Sequence, residues 1–105
     1  MATMKQRAIE AIKDFAERHG FEDVGAFKGF VTGRDGDAQV FISVHVVEVY
    51  SPKAITSMAE FEKLAIEWLT KSGREPNFPL RFDEAQLVVT GDGRAMLRYQ
   101  KDCIQ

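Results

Sequence analysis

Few side chains in this sequence are of a type and spacing that can do chemistry, and most of them fall in its first half. Lys28, Ser43 and His45 form one set. A lysine beside a serine can accept the hydroxyl proton and leave a nucleophilic oxygen, and an imidazole changes charge near neutral pH. Asp35, Asp37 and Glu48 form a second set, three carboxylates of the kind that hold a hard divalent cation such as Mg²⁺. The histidines are His19 and His45 and the one cysteine is Cys103, so there is no zinc-ligand spacing and no internal disulfide. No metal site and no cofactor are expected. Each set also has a plain structural use. Asp-Gly suits a tight hairpin turn, Ser and Lys face each other on many solvated sheets, and a lone thiol near the C-terminus is usually inert.

A third set is cationic. Lys28, Arg34, Lys53, Arg81, Arg94, Arg98 and Lys101 are long enough to reach phosphates, and Lys28, Arg34 and Arg81 are the candidate nucleic-acid contacts. The charge balance argues against bulk attraction, because the formal net charge is −2. Residues 21–50 carry Glu22, Asp23, Asp35, Asp37 and Glu48 against only Lys28 and Arg34. Nucleic acid therefore stands beside a protein partner as an expected ligand, with no membrane involved and the oligomeric state left open.

The helices and strands that carry these residues are expected to belong to one domain, 1–105. The chain has 105 residues, 45% hydrophobic and 29% charged, which suffices to bury a core without disulfide staples. No apolar run approaches the roughly 18 residues of a membrane span, and the charged N-terminal pattern is unlike a signal peptide, so a soluble cytoplasmic protein is expected. Ala8, Ile9, Ile12, Phe15 and Ala16 recur at helical spacing from Met4 to His19, with Gly20 after them. Val24 to Thr32 and Ala38 to Tyr50 read as two strands flanking an Asp35-Gly36 turn. Met58, Phe61, Leu64, Ala65, Trp68 and Leu69 mark a second amphipathic helix ending near Ser72-Gly73, and Pro76 and Pro79 lie in the loop beyond it. Glu84 to Thr90 and Arg94 to Tyr99 form a last hairpin. The order αββαββ predicts an α/β domain, a mixed sheet flanked by helices. With Asp35 and Gly36 central in the turn, Phe30 faces Phe41, Lys28 faces Ser43 and Ala26 faces His45. Lys28, Phe30, Phe41, Ser43 and His45 then share one sheet face, and Val31, Val40, Ile42 and Val44 the other.

Several stretches, in order over most of the chain, resemble one family. They are Phe15-Ala16-Glu17-Arg18-His19-Gly20-Phe21, Arg34 through Ile42, Ala65-Ile66-Glu67-Trp68-Leu69, Leu80-Arg81-Phe82-Asp83, Thr90-Gly91 and Lys101-Asp102-Cys103. Together they resemble the bacterial YraN-like family of the PD-(D/E)XK nuclease-like superfamily, which includes archaeal Holliday-junction resolvases. The resemblance implies a restriction-endonuclease-like fold. The family signature resembles Gly-Glu-Ile-Asp in one strand and Glu-x-Lys in the next, and these fall on Phe27-Lys28-Gly29-Phe30 and Ser43-Val44-His45. The family's aspartate is Phe30 here, its glutamates are Lys28 and Ser43, and its lysine is His45.

Such a nuclease needs carboxylate oxygens to hold Mg²⁺, which polarises the phosphate and acidifies the attacking water. Phenylalanine, serine and lysine cannot supply them. The resemblance therefore implies an inactive, pseudoenzyme-like domain that binds or interacts. The alternative is a divalent-metal-dependent nuclease acting on DNA with a site rebuilt from Asp35, Asp37, His45 or Glu48.

Overall fold

The computed structural model describes residues 2–73 and 77–104, so the expectation for Pro76 lies outside the described residues. Helix α1 (Met4–Arg18) begins at a reciprocal cap. The Thr3 hydroxyl accepts from the Gln6 amide at 3.1 Å while the Gln6 side chain accepts from the Thr3 amide at 2.7 Å. Ala8, Ile12 and Ala16, four residues apart, are its buried stripe. Past its end Gly20 takes φ 87 and the Phe21 amide returns to the Ala16 carbonyl at 3.0 Å, closing the helix.

Three strands follow where two were expected: β1 (Glu22–Phe27), β2 (Phe30–Asp35) and β3 (Ala38–Val47). The stretch 24–32 is broken by a two-residue turn at Lys28 (φ 48) and Gly29 (φ 84). Positive φ at both central positions suits the right-handed twist of a hairpin, but only the glycine advertises it. The order is therefore αβββαββ rather than αββαββ. The second hairpin also turns one residue later than expected. Asp35 pairs with Ala38, so Gly36 (φ 63) and Asp37 are the central pair and Phe30 lies opposite Ser43 rather than Phe41. The partner moves by two residues. Because side chains alternate with a period of two, the face assignment of β2 and β3 survives.

Helix α2 (Met58–Ser72) is capped by the Ser57 hydroxyl on the Glu60 amide and ends at Gly73 with φ 68. It crosses back to β4 (Leu80–Val89), which runs parallel to β3, and β5 (Ala95–Gln100) closes the sheet antiparallel to β4. The five strands lie in the order β1-β2-β3-β4-β5. The protein is thus α/β, with a mixed sheet and two helices. Both strands of the last hairpin differ at their ends from expectation. In particular Leu80-Arg81-Phe82-Asp83 lies inside β4, not before it.

The sheet carries a core on each face. On the α1 face Ala8, Ile12 and Ala16 meet Val31, Val40, Ile42, Val44 and Ala85. On the α2 face the core is aromatic. Phe41 and Phe61 are fully buried, with Phe30, Phe82 and Trp68 packed around them. Phe61 stacks on Phe82 with centroids 4.8 Å apart, and Trp68 meets Phe41 edge-on at 5.5 Å. Among the described residues no helix is long and apolar enough to cross a membrane.

Candidate functional site

The four positions singled out by sequence divide between two places. Phe30, Ser43 and His45 share the α2 face, with Phe30 directly across from Ser43. Lys28 sits apart, in the turn between β1 and β2. Its ammonium pairs with Glu67 of α2, not with Ser43, and this bond holds the Glu67 carboxyl below its ordinary range. A serine–lysine nucleophile is therefore not assembled. Phe30 belongs to the aromatic core, edge-on to Phe61 at 5.6 Å and 72°.

Ser43 and His45 converge on Glu84, a residue that sequence reasoning did not single out. Glu84 is the parallel-strand neighbour of Ser43 and is fully buried. The Ser43 hydroxyl donates to its Oε1 at 3.1 Å, and the Thr56 amide donates to the same oxygen at 3.0 Å. The Ile55 amide is shared between both oxygens, and Gln86 Nε2 donates to Oε2 at 3.2 Å. His45 Nε2 lies 2.8 Å from the Thr56 hydroxyl and 3.4 Å from Glu84 Oε1. A buried carboxylate surrounded by donors is the arrangement that keeps a charge tolerable away from water.

These donors fix a strap, residues 50–57, across the polar half of the α2 face. Ser51 exchanges two bonds with the Gln86 side chain, its amide donating to Oε1 at 2.9 Å and its carbonyl accepting from Nε2 at 2.8 Å. Gln100 Nε2 donates to the Tyr50 hydroxyl at 2.7 Å and to the Pro52 carbonyl at 2.9 Å. The strap thus lies over the surface that carries Ser43 and Glu84, and Ser43 is only 1% exposed. A hydroxyl sealed in this way cannot reach a substrate.

His45 is half-buried and holds its proton less readily than a free imidazole. Burial lowers its pKa, Glu84 opposes this, and Lys5 and Glu60 act on it more weakly with opposite signs. Lys5, from α1, donates to the Val44 carbonyl, and burial lowers its pKa too. A histidine whose folded pKa lies below its unfolded value binds fewer protons when folded. Its contribution to stability is present above the unfolded pKa, near 6.5, and is lost as pH falls through the folded value. Urea titrations between about pH 7.5 and 5 are therefore expected to show a smaller acid loss of stability in His45→Gln than in the unmodified protein. An equal loss in both would remove His45 from the acid response.

The second acidic node lies on the other face, because neighbouring strand residues alternate. Asp83 is fully buried, held by Arg81 through two bonds of 3.0 Å and by the Asp102 amide at 2.8 Å, and it accepts from the Tyr99 hydroxyl. Arg81 also binds Asp35 at 2.7 Å. Burial alone would lower the Arg81 guanidinium, but its bonds to Asp83 and Asp35 outweigh this and hold it above its ordinary value. Burial, reinforced by Asp83, raises the Tyr99 phenol. The remaining nucleic-acid candidate, Arg34, is bonded to Glu22 and Asp23, each at 2.7 Å. Lys28, Arg34 and Arg81 thus each face carboxylates of this chain.

Asp35, Asp37 and Glu48 do not meet. Asp35 is bound to Arg81, Asp37 is an exposed turn residue, and Glu48 lies past the far end of β3, separated from that turn by about 30 Å or more of extended strand. A site rebuilt from all three is therefore not assembled. Among the described residues no group of three or more His, Cys, Asp or Glu is placed to hold a metal ion. Burial, with Glu84 and Asp83 nearby, pushes the Cys103 thiol up to about 11, which keeps it protonated and unreactive at neutral pH.

The sheet and this polar strap define a mixed α/β protein whose α2 face is closed by its own backbone. No protein-family model matches the chain, and no curated protein matches it either.

Proposed function

We propose that this chain is a nuclease-like domain, of the kind its resemblance to the YraN-like family suggests, that lacks nuclease chemistry and acts as a binding or interaction module. One observation carries the reading. Each position where the family signature calls for a catalytic group holds a side chain engaged in the fold itself: Lys28 on Glu67, Phe30 on Phe61, Ser43 on Glu84, and His45 on Thr56 and Glu84. The strand order, with a helix crossing from β3 to a parallel β4, is compatible with the restriction-endonuclease-like arrangement. A rebuilt metal site would have to use Glu84, the carboxylate beside Ser43 and His45. Both of its oxygens already accept hydrogen bonds from Ser43, Ile55, Thr56 and Gln86, and opening them to a metal means detaching the strap.

The test is incubation with Mg²⁺ or Mn²⁺ and duplex, single-stranded and branched DNA. No cleavage is expected. Cleavage that disappears in the Ser43→Ala, His45→Ala double variant would overturn the reading and establish the rebuilt site. The same oligonucleotides, titrated by fluorescence anisotropy at two salt concentrations, are expected to bind with Kd of about 10⁻⁴ to 10⁻⁶ M or weaker at physiological salt. Each phosphate contact contributes a slope of about −0.9 in log K against log salt. Nanomolar binding would make nucleic acid the ligand.

A further inference from the structure

The two edges of the sheet are built differently. At the β1 edge the register shifts between Glu22 and Gly25, Asp23 takes φ 51, and both acids are tied to Arg34. A short, kinked, charged edge discourages a further strand. At the opposite edge β5 pairs with β4 in unbroken register from Ala95 to Gln100. It contains neither proline nor glycine, and Arg98 is its one charged residue. Among the described residues, nothing bonds to the backbone of residues 95–100 from the side away from β4. A row of N–H and C=O groups is left open there, flanked by Met96 at 48% exposure.

The cations along this edge are not held between two carboxylates, as Arg34 and Arg81 are. Arg94 is 85% exposed and only 3.4 Å from Asp92. The Arg98 guanidinium lies over the Tyr50 ring at 5.7 Å. Lys101, just past the strand, makes no ion pair among the described residues. It lines an open cleft of about 530 Å³ together with Lys53 of the strap. Gln100 stands in the wall of that cleft, and its Oε1 is buried without a hydrogen-bond partner. Asp92 and Asp102 adjoin the strand and Glu48 lines a cleft with Thr90 and Gly91 of the same hairpin, so Arg94, Arg98, Lys101 and Lys53 leave the edge with a slight positive excess.

We propose that the β5 edge accepts an extended acidic segment of a partner protein as a sixth strand. Main-chain hydrogen bonds hold the segment, and Arg94, Arg98 and Lys101 select its acidic side chains. This rests on the interaction-module reading and names its class of partner. A second copy of the chain fits poorly, because antiparallel self-pairing sets the cations of one edge against those of the other. A polyphosphate backbone would meet the cations but has no donor for the open carbonyls.

The probe is a fluorescein-labelled decapeptide alternating Glu and Val, titrated by anisotropy into the full chain, with amide hydrogen exchange followed in parallel. Binding is expected, with new protection confined to residues 95–100. An Arg94→Glu, Arg98→Glu variant, changed only at exposed positions, is expected to bind about tenfold or more weakly. A peptide with alternate N-methylated amides is expected not to bind. No binding at millimolar peptide, undiminished binding of the N-methylated peptide, unchanged affinity in the double variant, or tighter binding of single-stranded DNA at the same residues would each overturn the proposal. The same preparation is assayed for metal-dependent DNA cleavage. Cleavage overturns the interaction-module reading, whereas missing peptide binding in a preparation that does not cleave overturns the edge proposal alone.

Discussion

Replacing Glu84 with alanine is expected to destabilise the protein by about 3–5 kcal/mol, read as a shift in the urea midpoint with little change in slope. The Ser43 hydroxyl and the Ile55 and Thr56 amides all donate to this carboxylate, and Gln86 donates to it from the same strand. Alanine leaves these donors with no acceptor in a site closed to water, and it removes the charge that offsets a protonated His45. The strap is expected to loosen first, because two of its backbone amides lose their acceptor. Hydrogen exchange at Ile55 and Thr56 should rise by more than the global loss explains. Glu84→Gln tests the cause. It preserves volume but turns one acceptor into a donor facing other donors, so a substantial loss is expected despite the conservative shape. A cost below about 1 kcal/mol for Glu84→Ala would mean that the strap is held by something else.

Asp83→Ala is expected to cost a similar amount, about 3–5 kcal/mol, for a different reason. Asp83 is the bidentate partner of an Arg81 guanidinium whose side chain is only 14% exposed, and it also accepts from Tyr99 and Asp102. Removing the carboxylate leaves a mostly buried cation with Asp35 as its remaining anion. Taking away both charges leaves no buried unpaired ion, only the partly exposed Asp35 without its guanidinium, so the Arg81→Leu, Asp83→Leu double variant is expected to lose less than the two single variants summed. Additive losses would show that Arg81 does not depend on Asp83. The same pairing explains why Arg81, an attractive phosphate contact in the sequence, is committed to the fold.

Much of the fold was legible in the sequence because it depends on local periodicity. Ala8, Ile12 and Ala16 at four-residue spacing placed α1. Phe61, Leu64, Ala65 and Trp68 placed α2, and alternation along β2 and β3 placed Phe30, Ser43 and His45 on one face. The displaced pairing leaves the faces of β2 and β3 unchanged, since a two-residue shift returns every side chain to the same side. What failed locally was turn chemistry. Lysine at positive φ carries no sequence mark, so the Lys28-Gly29 hairpin was hidden inside an apparent strand. In Asp35-Gly36-Asp37 one glycine can occupy either central position, and only the packing of the strands selects one.

Which residue types stand at the signature positions is a matter of sequence alone. No folding can turn Phe30, Ser43 or Lys28 into a carboxylate, so the loss of the signature acids is a property of the sequence alone. What those residues touch depends on how distant segments pack together. The contacts Ser43–Glu84, Lys28–Glu67 and Arg81–Asp35 join residues 41, 39 and 46 positions apart. Each depends on the parallel register of β4 against β3, or on where the crossing helix comes down. Periodicity reports which face a side chain takes, and it is silent about which distant strand lies alongside. Hence Glu84, which reads in sequence as an ordinary charge at the start of a strand, became the buried centre of the strap only once β4 was laid beside β3.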